Sequence, residues 1–362
     1  MNRIFFYFAL SGLLVLTLLA SDSKLHLIHA DRSVGRIENG EKIRYLVGSV
    51  EAYQDTVHMV CDRAVFYEDR NIVELIGNVL IDDTHHKLWA DKIIYYSSDK
   101  RAHCSGNVRI SGVNDSLFAQ VFLYNFSIGD AVGKQDLFIW DKQNQVRIWG
   151  DDGTYFSKIS ESHISGNAVF HRYEPTGVDT LIIHSGYMSY YGSGIRRAVA
   201  RDSVRIFKGT VRAVCDSATY LIDNQLVYLQ INPLAWQGDS EMKSDQILFT
   251  MDSLKIKEIF LEEKAQVTTL ADSASQKYNV LKGKSIQVSM ADGTPERVIA
   301  RRNAVSIYEI KDRNIDQGTN SASSDSIIVH FTLGEVDSIS IIGGTEGTFY
   351  PADWKGEIKS EY

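Results

Sequence analysis

The stretch Gly77-Asn78-Val79, followed by Leu88-Trp89-Ala90-Asp91-Lys92-Ile93-Ile94-Tyr95, decides the fold of this chain. The same phrase returns 29 residues later as Gly106-Asn107-Val108, followed by Ala119-Gln120 and then by Tyr124. Recurrence at a fixed distance of about 20 to 50 residues is typical of repeat proteins. The sequence therefore predicts one continuous array of similar units.

The first residue of the phrase sets a register along the chain. The intervals are 29 residues from Gly48 to Gly77 and again to Gly106, and 60 residues, or two units, from Gly106 to Gly166. Later intervals are longer and the phrase is less regular. The predicted first positions are Gly48, Gly77, Gly106, Gly166, Asp202, Asn232, Ala265, Arg302 and Gly343.

One unit contains two strands. Arg101 to Ser111 alternates between apolar and polar residues, which is typical of a strand with one buried face. Turn residues 112–115 follow, and then Leu117 to Phe126 forms a second apolar and aromatic run. Nine such units would give about eighteen antiparallel strands.

The glycine of the phrase lies inside a strand, where glycine marks a bulge or a sharp bend. Repeated once per unit, it would bend every strand at the same place. We therefore expect an all-β fold, an elongated bent antiparallel β-roll of about nine two-strand repeats. A right-handed parallel β-helix is the alternative, although the short turns favour hairpins.

The first residues form a separate N-terminal hydrophobic segment. Residues 4–20 are almost entirely apolar and follow the positively charged Arg3, so residues 1–22 are either a cleaved signal peptide or a membrane anchor. Either interpretation places the rest of the chain outside the cytoplasm. We expect a first β-roll half over 23–160 and a second half over 161–362, continuous with the first.

Composition and motifs argue against several functions. The formal net charge of −8 is spread along the chain, which argues against nucleic acid as a partner. Cys61 and Cys215 occupy the repeat position of Ala90, which indicates a structural role. His85-His86 and Gly150-Asp151-Asp152-Gly153 fit turns better than metal sites. The sequence therefore predicts no catalytic residues, no metal, no cofactor and no enzymatic activity.

The phrase Gly-Asn-Val followed by Leu-x-Ala-Asp-x-x-x-Tyr resembles the organic-solvent-tolerance (OstA-like) family, which includes LptA, LptC and the N-terminal domain of LptD. The likeness is closest from Gly48 to Tyr124 and weakens toward the C-terminus. It implies a periplasmic β-roll of Gram-negative bacteria whose apolar interior shelters the lipid A acyl chains of lipopolysaccharide during transport to the outer membrane. It also implies edge-strand pairing with other Lpt-type β-rolls at both ends. Membrane contact would occur only through the N-terminus, where residues 4–20 would anchor an uncleaved chain to the inner membrane, or through partners.

Candidate lipid-binding residues follow from the alternation around each phrase. They are Val79, Ile81, Val108, Ile110, Val169, Val204 and Ile206. A column of tyrosines, one per unit, would either stack within the sheet or line the mouth of a lipid groove. The alternative functions are a structural or adhesive extracellular β-solenoid, which a filled interior would favour, and a carbohydrate-active enzyme.

Overall fold

The structure is a computed structural model that describes residues 24–173, 180–272, 277–312 and 315–358. The hydrophobic segment 4–20 lies outside these residues. Among the described residues, no helix is long and apolar enough to cross a membrane. Two short 3-10 helices, Glu68–Arg70 and Ser157–Ile159, interrupt an otherwise β chain.

The described residues form one sheet of 24 strands, in which every pair is antiparallel. The strands are β1 (His26–His29), β2 (Arg32–Glu38), β3 (Glu41–Gln54), β4 (Val57–Tyr67), β5 (Ile72–Asp82), β6 (Lys87–Tyr96), β7 (Arg101–Ser111), β8 (Asp115–Asn125), β9 (Asp130–Asp141), β10 (Val146–Phe156), β11 (Glu161–Tyr173), β12 (Thr180–Tyr191), β13 (Arg197–Lys208), β14 (Val211–Leu221), β15 (Leu226–Gln230), β16 (Leu234–Gln237), β17 (Ser240–Lys243), β18 (Gln246–Asp252), β19 (Lys255–Asp272), β20 (Lys277–Ala291), β21 (Thr294–Asp312), β22 (Ile315–Thr332), β23 (Glu335–Ile342) and β24 (Glu346–Pro351).

Each long strand pairs with the next in a continuous meander. Four positions in the stack, which we call rows, are each shared by two short strands: β1 with β2, β15 with β16, β17 with β18, and β23 with β24. The 24 strands, less the four that share a row, therefore form 20 rows. The predicted all-β bent antiparallel roll is confirmed, and the parallel β-helix is wrong.

Every row is bent near its middle, and the bend divides it into two arms. In β5 the residues before the bend, 72–76, belong to what we call arm A, and those after it, 79–82, belong to arm B. Arm A strands pair with arm A strands in neighbouring rows, and arm B with arm B, so the sheet folds along one column of bends. The inner faces of both arms contribute to a single hydrophobic core that runs from Leu46 to Ile327.

The bends in alternate rows contain two consecutive residues with left-handed backbone. In Gly77-Asn78 these have φ of 78° and 45°, and the two oppose a single residue on each neighbouring strand, which makes a β-bulge. Ten bends among the described residues contain such a pair. They begin at Gly48, Gly77, Gly106, Gln135, Gly166, Asp202, Ile231, Glu263, Arg302 and Gly343.

This register corrects two predicted first positions. The bend that was assigned to Asn232 begins at Ile231, and the one assigned to Ala265 begins at Glu263. Ala265 is instead an inward residue just past its bend, fully buried like Val79. The interval of 60 residues contains the expected extra bend, at Gln135-Asp136, where neither glycine nor asparagine marks it. Pairing continues without interruption from β10 to β11, across the predicted boundary at residue 160.

Candidate functional site: the inner face of the roll

An aspartate from the neighbouring row stabilises the bend in several repeats. Asn107 Nδ2 donates a hydrogen bond to Asp91 Oδ2 at 3.1 Å, and Asn78 Nδ2 donates to Asp62 Oδ2 at 2.9 Å. Asn167 with Asp151 and Asn232 with Asp216 repeat the contact at 3.2 and 3.1 Å. We call this pair the latch. In each case the aspartate precedes its asparagine by 16 residues, so the latch joins consecutive rows.

The latch also explains the glycine. A Cβ atom at Gly106 would lie 2.3 Å from Asp91 Oδ2, and at Gly77 it would lie 2.5 Å from Asp62 Oδ2. Both glycines have φ of 78°, in the left-handed region that residues with a Cβ atom rarely adopt. Backbone conformation and close approach therefore both require glycine here.

Six of the seven predicted lipid-binding residues lie on the inner face. Each is at most 1% exposed: Val79, Ile81, Val108, Ile110, Val204 and Ile206. Their side chains are already enclosed by other core side chains, so a lipid could reach them only if the roll opened. Their role in lipid binding stays a prediction.

Val169 does not share this face, and its place among the interior candidates is wrong. It pairs with Trp149 and His184 on the outer face of arm B and is half-buried. The phrase in this repeat reads Gly166-Asn167-Ala168, so Ala168 takes the inward position of Val79, and Phe170 follows it. The predicted inward residue, Val169, therefore lies one position after the actual one, Ala168.

Hydrogen bonds between the two arms close the mouth of the roll over its N-terminal rows. Tyr95 Oη, near the end of arm A, donates to Gln54 Oε1 on arm B at 2.8 Å. Tyr190 Oη donates to Asp141 Oδ2 at 2.6 Å, and Tyr155 Oη donates to Asp115 Oδ2. We call these inter-arm contacts the seam.

The turns at the arm ends extend the seam on both sides of these tyrosines. Lys100 pairs with Asp55, and the Arg196 guanidinium donates to Asn144 Oδ1. Farther along the roll, Gly293 O accepts from Thr210 Oγ1 at 3.2 Å and from Gln237 Nε2 at 2.9 Å. The seam therefore joins the arms as far as the turn between β20 and β21.

The tyrosine column belongs to the seam. Burial raises the pKa of Tyr95 and of Tyr190 above the usual value for tyrosine, and the nearby Asp141 charge raises that of Tyr190 further. Both hydroxyls therefore stay protonated and act as donors at neutral pH. Tyr124 lies in the same column, but its hydroxyl has no hydrogen-bond partner among the described residues. The column lies at the mouth of the roll, where the hydroxyls of Tyr95, Tyr155 and Tyr190 join the arms.

Past the seam, the inner face opens into an apolar groove of about 330 Å³ between the arms of β19 to β23. The apolar groove residues are Val267 and Leu281 from arm B, and Val329, Phe331, Val336 and Ile339 from arm A. Most are half-buried and pack against the end of the core, unlike their fully buried counterparts in the closed rows. Thr269, Asn279, Ser306 and Tyr308 add polar groups to the arm B side.

The sequence-based candidates did not include the groove residues. Ile327, Val329 and Phe331 recur at every second position as the residues of an inner face do, but the phrase is degenerate near Ala265 and Arg302, so it does not mark the register of these rows. No pattern in the sequence shows where the two arms separate, because that depends on contacts between distant rows.

No cluster of histidine, cysteine and acidic residues suited to a metal ion occurs within the described ranges. His85 and His86 lie in the turn between β5 and β6, where Asp83 accepts hydrogen bonds from both of their backbone N–H groups. Asp83 is 7% exposed, so this turn is more buried than a solvated turn. The three cysteines are free and buried.

The fold and groove define a class, an elongated all-β roll of bent antiparallel strands with an apolar inner face that is open over its last rows. Residues 22–174 match the family model described as OstA-like protein. This part of the chain is OstA-like, which confirms the family that the repeated phrase indicated. The bends of the same kind continue beyond the matched residues as far as Gly343.

Among solved structures, the chain is similar to LptH, described as the LptA homologous periplasmic component of the conserved lipopolysaccharide transport device from Pseudomonas aeruginosa. The match has 11% identity and a TM-score of 0.19, and it covers 48% of this chain and 82% of LptH. No curated protein matches the chain.

Proposed function

We propose that this protein is a non-enzymatic, periplasmic lipid-binding bridge protein that shelters the acyl chains of lipid A during lipopolysaccharide transport to the outer membrane. The observation that carries the proposal is the open apolar groove, whose apolar side chains come from both arms and continue the core of the roll. The OstA-like match over 22–174 supports it, because the resemblance to that family implies lipid transport.

The groove has a suitable size and polarity. Small-ligand pockets in proteins have volumes of roughly 300 to 1,000 Å³, so a groove of about 330 Å³ lies at the lower end of that range. Burying a methylene contributes about 0.8 kcal/mol, so a twelve-carbon acyl chain leaving a membrane needs shelter of roughly 10 kcal/mol. The polar groups on the arm B side would face the sugar end of the lipid.

The first part of the roll, where the seam joins the two arms, fits a structural role. The interior of these closed rows is filled by side chains such as Ile81, Phe122 and Tyr220, and a filled interior is what a purely structural β-solenoid requires. In our proposal these rows hold the groove at one end of a rigid body. A lipid would enter them only if the seam opened.

The rows at the two ends support docking with other β-rolls. The strands β1 and β2 at one end, and β23 and β24 at the other, each pair on one side only among the described residues. Both end rows expose apolar side chains, with Ile37 75% exposed and Ile342 52% exposed. Unpaired strand edges are ready templates for pairing with another strand. We propose that another β-roll of the same bend pairs there.

Photocrosslinking tests the groove. Purified protein carrying benzoylphenylalanine in place of Phe331 should form adducts with lipopolysaccharide. The same probe in place of Leu333, two residues away and 100% exposed, should not. A third probe at Ile206 reports whether lipid also enters the closed rows. Absence of adducts at both Phe331 and Ile206, in protein that melts cooperatively, would overturn the proposal.

A further inference from the structure

The outer face of arm B, from β6 to β14, has a composition unlike the rest of the protein. Between the bends and the turns, the charged residues that alternation places on this face are all basic, although the chain has a formal net charge of −8. Aromatic side chains fill much of the remaining surface. The residues of this cation–aromatic face are Lys87, Trp89, Arg109, Phe118, Phe138, Trp140, Arg147, Trp149, His171, Tyr173, His184, Arg205, Phe207 and Arg212.

The rings form a ladder across neighbouring strands. The centroids of Phe118 and Phe138 are 5.5 Å apart, and those of Phe138 and Trp149 are 5.0 Å apart, both stacked. Trp149 then meets His171 edge-on at 4.8 Å. At the Phe118 end of the ladder, the Arg109 guanidinium lies 5.6 Å from the Phe118 ring centroid and 4.9 Å from that of Trp89. The ladder therefore fixes the position of its arginine.

A second arginine is held in the same manner. The Arg147 guanidinium lies 5.5 Å from the Trp140 ring centroid and 4.5 Å from that of Tyr173. Trp140 Nε1 donates to Tyr173 Oη at 3.2 Å, which fixes the two rings around the guanidinium. Both rings therefore hold the Arg147 guanidinium on this face.

Neither Arg109 nor Arg147 has a carboxylate partner within the described ranges, whereas Arg70, Arg101 and Arg196 pair with acidic side chains elsewhere. The excess positive charge also acts on the histidines of the face. Burial lowers the pKa of His171 and His184, and neighbouring cations, including Arg147 and Arg205, lower it further. Lys87, at the edge of the face, pairs with Asp82 at 3.3 Å. Within the described ranges, it is therefore Arg109 and Arg147 that lack an acidic partner.

We propose that the cation–aromatic face of arm B binds a phosphorylated glycan. Planar guanidinium groups form paired hydrogen bonds with phosphate oxygens, and half-buried rings beside them offer apolar surface to the C–H groups of a sugar. Charge complementarity requires an anionic partner. The proposal does not depend on lipid binding in the groove, which lies between the arms of β19 to β23 rather than on this face.

The packing of the rings favours a glycan over a membrane or a nucleic acid. Trp149 and Phe138 are half-buried against their neighbours and do not protrude, as side chains that insert into a bilayer would. Because the rings are already stacked on one another, a base cannot intercalate between them, and a sugar would contact only their outward edges. A hydrated anionic sugar needs neither insertion nor intercalation.

Binding of phosphomannan to the full chain tests the proposal, with unphosphorylated mannan of the same length as the reference probe. We expect the double variant Arg109→Gln/Arg147→Gln to bind phosphomannan at least about tenfold more weakly, since it removes the charged donors of two phosphate contacts. Arg197→Gln is the matched control, because Arg197 also lies over a ring, that of Tyr191 at 3.8 Å, but on the outer face of arm A. That control should bind as the unchanged protein does.

A conservative double substitution distinguishes a loss of glycan binding from a loss of folding. The variant Arg109→Lys/Arg147→Lys keeps the charge but loses the paired donors, so its affinity should lie between those of the unchanged and the glutamine proteins. All variants should keep the unfolding midpoint of the unchanged protein within a few degrees. Equal affinity in the glutamine variant and its control would overturn the proposal. So would equal binding of mannan and phosphomannan, or arginine-dependent binding only to phosphatidylglycerol vesicles or single-stranded DNA.

Discussion

Asp91 and Asn107 lie 16 residues apart, in consecutive strands, and are joined by a hydrogen bond of 3.1 Å across the bend of the roll. The aspartate belongs to the second half of one sequence repeat and the asparagine to the first half of the next. The hydrogen bond therefore joins two sequence repeats and does not lie within one of them. Each latch stabilises the junction between successive repeats.

The latch predicts an unequal cost for two glycine substitutions. Gly106→Ala should destabilise the protein by about 2 to 4 kcal/mol, because it adds a Cβ atom to left-handed backbone and displaces Asp91. Gly194→Ala should cost only about 1 to 2 kcal/mol, since that glycine has φ of 62° but no atom within 4 Å of the added carbon. Urea unfolding measures both. Equal losses would show that the latch adds nothing to the backbone strain.

The seam predicts different outcomes for two tyrosines of the same column. Tyr190→Phe removes the donor to Asp141 and should lower the free energy of unfolding by about 1 to 3 kcal/mol. Tyr124→Phe removes a buried hydroxyl without a partner among the described residues, so it should be neutral or slightly stabilising. Thermal and urea unfolding of both variants test this pair. A larger loss for Tyr124→Phe would contradict the assignment of the seam.

Stability should fall in alkaline solution because of the buried thiols. Burial raises the pKa of Cys61 and of Cys215 from 9.0 to about 11, and it raises that of Cys104 as well. The unfolded chain then releases these protons at lower pH than the folded one. The stabilisation is fully present below the unfolded pKa of 9.0 and is lost as pH rises toward about 11.

Urea unfolding across this pH range measures the loss. The variant Cys61→Ala/Cys215→Ala should lose less stability between neutral and alkaline pH than the unchanged protein, and alanine should fit because Ala90 occupies the equivalent repeat position. An unchanged pH dependence in that variant would assign the effect to the buried tyrosines, whose pKa values are also raised.

The end rows predict a position-dependent effect on association. Ile37→Lys places a charge on the edge strand β2 and should weaken pairing with another copy or another β-roll by about tenfold, because edge lysines oppose strand addition. Ile195→Lys is the matched control, since Ile195 is 69% exposed but lies in the turn between β12 and β13. Sedimentation velocity over a concentration series distinguishes them. Equal behaviour of the two variants would exclude β2 as a docking edge.

The sequence predicted the local geometry well where the phrase is intact. Gly77, Gly106 and Gly166 mark real bends, and alternation placed Val79, Val108 and Ile206 on the inner face. These features depend only on neighbouring residues, on backbone conformation and on the two-residue period of a strand. They can be inferred without knowing which strands meet.

Features that depend on contacts between distant rows could not be predicted in this way. The partner of Asn107 is not evident until strand pairing is known, because Asp91 belongs to the preceding repeat. The open groove at Phe331 depends on the separation of two arms that no short pattern records. Val169 was misplaced for a simpler reason, since Ala168 is too small to have been recognised as the inward residue.

The alternation between rows that carry a left-handed pair and rows that do not limits how this architecture can change in length. An added single row would place two rows of the same kind side by side and would reverse the direction of every strand after it. The body can therefore grow or shrink only by two rows at once, a step of about 9.6 Å at the usual strand spacing. Relatives built on this plan should differ in span by whole multiples of that step.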